Sequence, residues 1–251
     1  DVMQLMPGAL TNNPDLTRAN TVTIRNVRDH NGLNASGVGL LIDGNKLSNS
    51  GAVDGGAFDF RSISTDNVES MEDLTGVLSA QYGDMTSGAI LVKTKAGLTP
   101  YEVRVKSDPR TKAASINKGF RLPSNSGYLN LNVDYARAFK KNISPVDVFD
   151  RTSLGVTYSN TFNKDKTPLR FNFKVNGYFT SNDVTQDPDV SKEDYFKSST
   201  KNLNASIYGS WMLDKPYITA INYNVSGSYQ KQESNDFRLV NATPSPTTNT
   251  K

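Results

Sequence analysis

The chain of 251 residues contains no cysteine, which excludes disulfide bonds, thiolate nucleophiles and cysteine-ligated metal sites. It also lacks a long hydrophobic run, since residues 38–42 and 89–92 fall far short of the roughly 20 residues that a membrane-spanning helix needs. No transmembrane helix is therefore expected. The mean hydropathy of −0.52 still permits a membrane β-barrel, because a barrel strand carries its apolar residues only at every second position.

Neither sign of charge predominates, because 28 basic and 25 acidic residues leave a net charge of only +3. These charges are scattered, and no basic block interleaved with aromatic residues points to nucleic acid. The single histidine, His30, lacks partners at metal-ligand spacing. No nucleophile, base and orienting acid group together, so neither enzyme activity nor a cofactor is expected.

The first part of the chain, to about residue 97, mixes glycine-rich connections with short hydrophobic runs and predicts a compact α/β unit. We expect the tail of a helix at residues 1–6, stopped by Pro7 and Gly8. Asp43 and Gly44 form a turn dipeptide after an apolar strand, and Asp66 could cap a short turn. The other expected elements are strands at 21–25, 38–43 and 88–94, a segment at 68–74 and a helical turn at 79–82.

The second part changes to strict alternation of apolar and polar residues and keeps it. One face of its third strand carries Leu131 and Val133, and the opposite face carries Asn132 and Asp134. The pattern predicts about seven strands, at residues 101–106, 112–122, 127–139, 151–162, 169–180, 200–213 and 217–232.

The length of these strands favours a membrane protein, because roughly 9–11 residues are what a tilted strand needs to cross a bilayer. The connections are predicted to alternate between short ones at 123–126, 163–167 and 214–216 and long ones at 140–150 and 181–199. Outer-membrane barrels have short periplasmic turns and long external loops. Aromatic residues near both strand ends are typical of interfacial girdles, among them Tyr128 at the periplasmic end and Tyr178 at the external end.

Several motifs of the first part, taken in order, resemble those of one known family. VGLLIDG at residues 38–44 resembles its VDG strand and turn, and TIRNVR at 23–28 resembles its SIRGVR. Residues 66–83 resemble IERIEVLKGPASALYG, residues 88–95 resemble GGVINIITK, and residues 2–8 resemble LLQLLPG. Asp73 stands where an apolar strand residue is usual. The chain is similar to TonB-dependent outer-membrane receptors.

The resemblance implies an α+β plug domain at residues 1–97, followed at 98–251 by antiparallel transmembrane β-barrel strands of an incomplete 22-strand barrel. It implies a Gram-negative outer-membrane transporter that imports a glycan, peptide or metal chelate, with the plug gating the barrel. The implied partners are outer-membrane lipid and the TonB–ExbB–ExbD complex, acting on a TonB box expected upstream of Asp1. Residues 90–97 are similar to the SusC/RagA-like branch, which implies a SusD-like surface lipoprotein.

If the plug follows the family, two of its loops face the external vestibule and form a ligand surface. Ordinary hydrophilic loops explain the same residues equally well. Two other functions stay open: a plugged barrel that serves as a surface adhesin or assembly scaffold without transport, and a soluble β-rich binding protein. The predicted ligand-binding residues are Arg28, Asp29, His30, Asn31, Ser48, Asn49, Ser50 and Asp54.

Overall fold

A computed structural model describes residues 9–11, 16, 22–24, 39–46, 60–74, 88–140, 147–185 and 195–237. Its strands form three sheets. The smallest pairs β1 (Ala9–Thr11) with β2 (Val22–Ile24) in antiparallel fashion. The predicted helical segments at 1–6 and 79–82 lie outside the described residues. Within the described first part, the only helical elements are 3₁₀ turns at Phe60–Ser62 and Thr65–Asn67.

The second sheet, called the plug sheet below, has the strand order β4-β3-β6-β5. Its strands are β3 (Gly39–Ile42), β4 (Asn45–Lys46), β5 (Val68–Leu74) and β6 (Ala89–Thr94). β3 and β6 are parallel and central, and both antiparallel neighbours lie at the edges. This arrangement confirms the predicted strands at 38–43 and 88–94.

The plug sheet buries apolar side chains on both faces, as expected for a parallel pair covered on two sides. One cluster joins Leu40, Ile42, Ile90 and Val92 to Phe60 and Ile63 of the segment after β4. A smaller cluster on the other face contains Leu41 and Ala89. Ile90 and Ala89 are fully buried. The core therefore lies around β3 and β6.

The predicted turn at Asp43 and Gly44 is confirmed, since it joins β3 to β4 with φ values of +51° and +82°. Two successive positive φ values define a type I′ hairpin turn, for which aspartate followed by glycine is a preferred pair. The predicted capping role of Asp66 is wrong. Ser64 precedes the 3₁₀ turn at Thr65–Asn67 without a side-chain cap, and the Asp66 carboxylate contacts the third sheet instead.

The third sheet, called the large sheet below, is an antiparallel meander of seven strands in chain order. Seven is the number that the alternating pattern predicts. The strands are β7 (Glu102–Ser107), β8 (Thr111–Arg121), β9 (Tyr128–Phe139), β10 (Asp147–Phe162), β11 (Leu169–Thr185), β12 (Tyr195–Met212) and β13 (Ala220–Phe237). The sheet is open, with β7 and β13 at its edges.

The predicted difference between short and long connections is largely wrong. β10, β11, β12 and β13 extend further than expected, so the connections predicted at 140–150 and 181–199 shrink to 140–146 and 186–194. The reason is that residues 147–150, 181–185 and 195–199 continue the cross-strand pairing. We call the end with connections 122–127, 163–168 and 213–219 the turn end, and the end with 108–110, 140–146 and 186–194 the loop end.

The large sheet is polar on its buried face and apolar on its exposed face. In β9, Asp134 is 1% exposed whereas its neighbour Val133 is 49% exposed. β12 repeats the pattern, with Asn204 buried and Leu203 exposed. The prediction is wrong for two aromatic residues of the girdles, because Tyr128 and Tyr178 lie on the buried polar face and not on the exposed apolar face. Tyr128 is two residues from Asn130 and Tyr178 is four residues from Lys174, and residues an even number of positions apart share one face of a strand.

Candidate functional site: the contact between plug sheet and large sheet

The sequence-predicted ligand residues, Arg28 to Asn31 and Ser48 to Asp54, lie outside the described residues. The described part of the chain instead places a set of polar and charged groups where the plug sheet meets the buried face of the large sheet. Three carboxylates organise this contact. Two belong to the plug segment, Asp43 and Asp66, and the third, Asp134, belongs to β9.

Asp43 lies at the centre of the first group. The type I′ turn directs its carboxylate toward β6, where the backbone N–H and the hydroxyl of Thr94 donate hydrogen bonds of 2.9 and 3.0 Å. The ammonium of Lys174, in the middle of β11, forms an ion pair with the same carboxylate. The side chains of Lys174 and Asp43 are only 2% and 4% exposed. A buried pair of this kind is costly to break by removing one partner, because the other charge stays buried.

The turn also approaches β13 closely. Asn224 donates a hydrogen bond of 3.4 Å to the carbonyl of Gly44. A β-carbon at Gly44 would collide with the Asn224 side chain, and its φ of +82° is one that other residues rarely adopt. Glycine at this position therefore serves both the turn and the contact.

Arg151 of β10 forms the second group. Its guanidinium binds the Asp134 carboxylate through two nitrogens, Nε and Nη2, each 2.8 Å away. Its Nη1 donates to the carbonyls of Arg61 and Ile63, both at 2.8 Å. The Arg151 side chain is 7% exposed and that of Asp134 is 2% exposed. The planar fork of the guanidinium allows one side chain to bind a carboxylate and two plug carbonyls together.

Asp66 forms the third group at the margin of the contact. Its carboxylate accepts a hydrogen bond of 2.6 Å from the Ser115 hydroxyl of β8 and pairs with Arg104 of β7. The Arg104 side chain is 72% exposed, so this pair contributes little on its own. Next to it, a β-carbon at Gly155 would lie 3.3 Å from Nδ2 of Asn67, which shows how closely the two sheets approach.

The segment between β6 and β7 ties the two sheets together covalently and crosses the buried face of β8. The backbone of Gly119 donates to the Thr99 carbonyl at 3.2 Å, and Asn130 donates to the Thr99 hydroxyl at 2.9 Å. A β-carbon at Gly119 would collide with the backbone of Gly97 and Thr99. The close approach therefore requires glycine at position 119.

Two aspartates outside the strands of the large sheet have shifted pKa values. Burial raises the pKa of Asp73 in β5, and neither of its carboxylate oxygens has a hydrogen-bond partner among the described residues. The pKa of Asp108 at the loop end is lowered, mainly because the backbone N–H groups of Arg110 and Thr111 donate to its carboxylate. Asp73 occupies the position where the sequence comparison expects an apolar residue.

The described ranges contain no group of three or more metal-ligating side chains. Over the same ranges, no helix is long and apolar enough to span a membrane. The arrangement at the contact is chemically suited to holding two parts of a chain together by ion pairs and hydrogen bonds. Apart from Arg104, the charged groups are mostly buried, and each of the three groups joins the first part of the chain to the large sheet.

Sequence reasoning did not assign a role to Lys174, Arg151 or Asp134. A signal was present, because each is a charged residue with a neutral polar neighbour two positions away on the same strand face, such as Asn172 beside Lys174. An isolated charge among neutral polar residues on one strand face indicates a specific partner. The partner itself comes from the fold, since 131 residues separate Asp43 from Lys174.

Residues 1–90 match the family model described as TonB-dependent Receptor Plug Domain. The match includes β3, β4 and β5 and the start of β6, and therefore most of the plug sheet. No curated protein matches the chain. The match thus covers 90 of the 251 residues and shows a plug domain of the TonB-dependent receptor type in the first part of the chain.

Proposed function

We propose that the chain comprises the plug domain, residues 1–97, and the first seven barrel strands, within residues 98–251, of a TonB-dependent transporter that imports a nutrient. The observation that carries the proposal is the distribution of polarity in the large sheet, which is the reverse of that in a water-soluble protein. Its polar face lies against the segment that matches the plug family model, and its apolar face is exposed. Lipid is the solvent that such a face requires. A glycan, a peptide or a metal chelate would serve as cargo.

The strand lengths support a direction for the barrel. β10 to β13 are 16 to 18 residues long, whereas roughly 9–11 residues cross a bilayer. The excess lies at the loop end, because residues 147–150 and 181–185 extend β10 and β11 there. We place the loop end outside the cell and the turn end in the periplasm. The exposed apolar side chains between them would contact outer-membrane lipid.

Described residues beside the predicted ligand surface support an external position for it in this orientation. Phe60 and Arg61, which directly follow the segment containing Ser48 to Asp54, lie at the part of β10 nearest the loop end: the Arg61 guanidinium is 4.1 Å from the centre of the Phe149 ring. The turn at Gly44 contacts Asn224, nearer the turn end. We therefore propose that Arg28 to Asn31 and Ser48 to Asp54 face the external vestibule and bind the cargo.

The polar contact between the sheets would form the gate. Buried polar groups recover hydrogen bonds from water when they separate, whereas an apolar contact would expose hydrophobic surface. The Asp43 and Arg151 groups would thus hold the plug firmly at rest and rehydrate when it moves. We propose that force from a TonB–ExbB–ExbD complex displaces the plug. A SusD-like lipoprotein partner rests on the resemblance of residues 90–97 alone.

The proposal is tested by the TonB-dependent accessibility of the buried face. Asn132 is 2% exposed and faces the plug, and Asn132→Cys introduces the only thiol within these 251 residues. In cells expressing the full-length protein in rich medium, a membrane-permeant maleimide should label this thiol several-fold faster when TonB is present. Lys166→Cys, in an exposed connection at the turn end, is the matched control and should be labelled equally with and without TonB.

Two outcomes contradict the proposal. Recovery of the full-length protein in the soluble fraction would favour a soluble β-rich binding protein. Outer-membrane localisation with equal labelling of the Asn132→Cys thiol in both strains would favour a static plug, as in a surface adhesin or assembly scaffold.

A further inference from the structure

A cavity of about 220 Å³ opens at the turn end of the large sheet. Its walls come from β8, β9, β10 and β11 and their connections, in the interior of the sheet and away from both edge strands. The lining residues that matter here are Arg121, Tyr128, Ser159, Lys164, Arg170 and Asn172.

The floor of the cavity is a continuous row across four strands. Arg121 is paired with Tyr128, Tyr128 with Ser159, and Ser159 with Asn172. Alternation assigns this row to the same face as the buried Asn117 and Lys174. The polar lining is thus a product of strand register and faces the plug side of the sheet.

The charge of the cavity is one-sided. Arg121, Lys164 and Arg170 line it, and no acidic residue does. Within the part of the chain that the structure describes, none of these three cations forms an ion pair. Three unpaired cations around one concavity concentrate a positive potential that attracts an anion.

A second cavity, of about 630 Å³, lacks these properties. It lies between β12 and the edge strand β13, and its lining contains Asp236 as well as Lys197. The smaller cavity is therefore the one whose charge and position in the sheet specify a ligand.

We propose that this cavity binds an oxyanion, namely a carboxylate or phosphate group. Guanidinium groups match both anions by donating two parallel hydrogen bonds, and the Tyr128 and Ser159 hydroxyls add neutral donors. The volume is below the roughly 300–1,000 Å³ of sites that enclose drug-sized ligands. The cavity therefore takes a small anion or the anionic group of a larger molecule.

The position of the cavity gives the site a role that rests on the proposed function. With the turn end in the periplasm, an anionic group of the cargo would reach the cavity after passing the displaced plug. The site would then hold that group near the exit of the barrel. Anion binding itself requires neither transport nor TonB.

The test measures binding of inorganic phosphate and of citrate to the full-length protein in detergent micelles by titration calorimetry. Arg170→Gln should weaken binding of at least one anion about tenfold or more, equivalent to roughly 1.4 kcal/mol or more. Lys215→Gln removes the same charge from another turn-end connection outside the cavity and should leave affinity within about twofold. Comparison of the two anions distinguishes a phosphate site from a carboxylate site.

A second measurement uses the unsubstituted protein, so that misfolding of the Arg170→Gln variant cannot be mistaken for loss of the site. In the unsubstituted protein, the bound anion should slow modification of Arg121 and Arg170 by phenylglyoxal, relative to Arg110 at the loop end. No binding of either anion, equal weakening by Lys215→Gln, or equal modification of all three arginines would overturn the proposal. Anion binding without TonB-dependent labelling of Asn132→Cys would instead overturn the proposed transport while the site stands.

Discussion

The plug sheet buries its apolar residues, whereas the large sheet exposes its apolar residues and buries polar ones. Ile90 and Val92 of the plug sheet are at most 1% exposed, and Val133 and Leu154 of the large sheet are 49% and 55% exposed. In the large sheet, Asn132 and Asp134 take the buried positions instead. Burial of apolar surface stabilises the first sheet in water. The second sheet needs a polar interior and an apolar exterior, so its stability depends on what surrounds it.

The largest effect is expected where the two sheets meet. Lys174→Met should destabilise the docked plug by about 3–5 kcal/mol, because it leaves the Asp43 carboxylate buried without its cation. Hydrogen exchange of the β3 and β6 amides, followed by mass spectrometry in micelles, measures the loss. Asp43→Asn combined with Lys174→Met should recover most of the stability, since asparagine accepts the φ of +51° and keeps a partner for Thr94. Equal protection in Lys174→Met and the unsubstituted protein would contradict the buried pair.

A second comparison removes apolar volume from each sheet. Ile90→Ala in the plug core should cost about 2–5 kcal/mol, because the surrounding side chains cannot close the cavity. Leu131→Ala on the outer face of β9 should cost less, since mobile lipid or detergent fills the space. Urea unfolding in micelles compares the two variants. A greater loss for Leu131→Ala would show that the outer face packs against protein.

A charge on the outer face tests the membrane assignment directly. Phe173→Arg or Val156→Arg should destabilise the sheet by about 2–4 kcal/mol if these positions lie near the bilayer midplane. The yield of assembled protein in the outer-membrane fraction measures the effect. Thr167→Arg, in a turn-end connection, should assemble normally. Normal assembly of both outer-face variants would refute the membrane assignment.

The smallest effect concerns a polar residue in the apolar sheet. Burial raises the pKa of Asp73, so the folded plug holds its proton more readily than the unfolded chain does. Stability should therefore fall as pH rises from the ordinary pKa of 3.8 through the raised value. Asp73→Asn should remove this loss and stabilise the plug at pH 7. Urea unfolding at pH 4 and pH 7 checks the sign, with exposed Glu72→Gln as the control.

Periodicity was sufficient to predict the strands of the large sheet, because apolar and polar residues alternate along each strand between its exposed and its buried face. It placed Asn132 and Asp134 correctly on the face opposite Val133. It failed to predict the ends of β11 and β12 at the loop end, where residues 181–185 and 195–199 pair although their sequence does not alternate between apolar and polar residues. There, hydrogen bonding between strands continues although the side chains no longer alternate in polarity.

The plug contact could not be predicted, because its partners are remote in sequence. Asp43 was recognised as a turn residue, which it is, and nothing local indicates that its carboxylate binds Lys174. Asp66 was expected to cap a short turn, yet its carboxylate binds Ser115 and Arg104. Local hydrogen-bonding preferences compete with tertiary partners, and at both aspartates the tertiary partner prevails.

The segment 95–100, fastened over Gly119, fixes one end of the plug sheet to the first strands of the large sheet. A force applied at the N-terminal side would therefore stretch the plug between that point and the anchored segment 95–100. β6 is the last plug strand before this segment. Such loading favours stepwise unravelling from the N-terminal side over ejection of an intact plug. If force displaces the plug as proposed, the anchored remainder would serve as the template on which β3 re-forms beside β6.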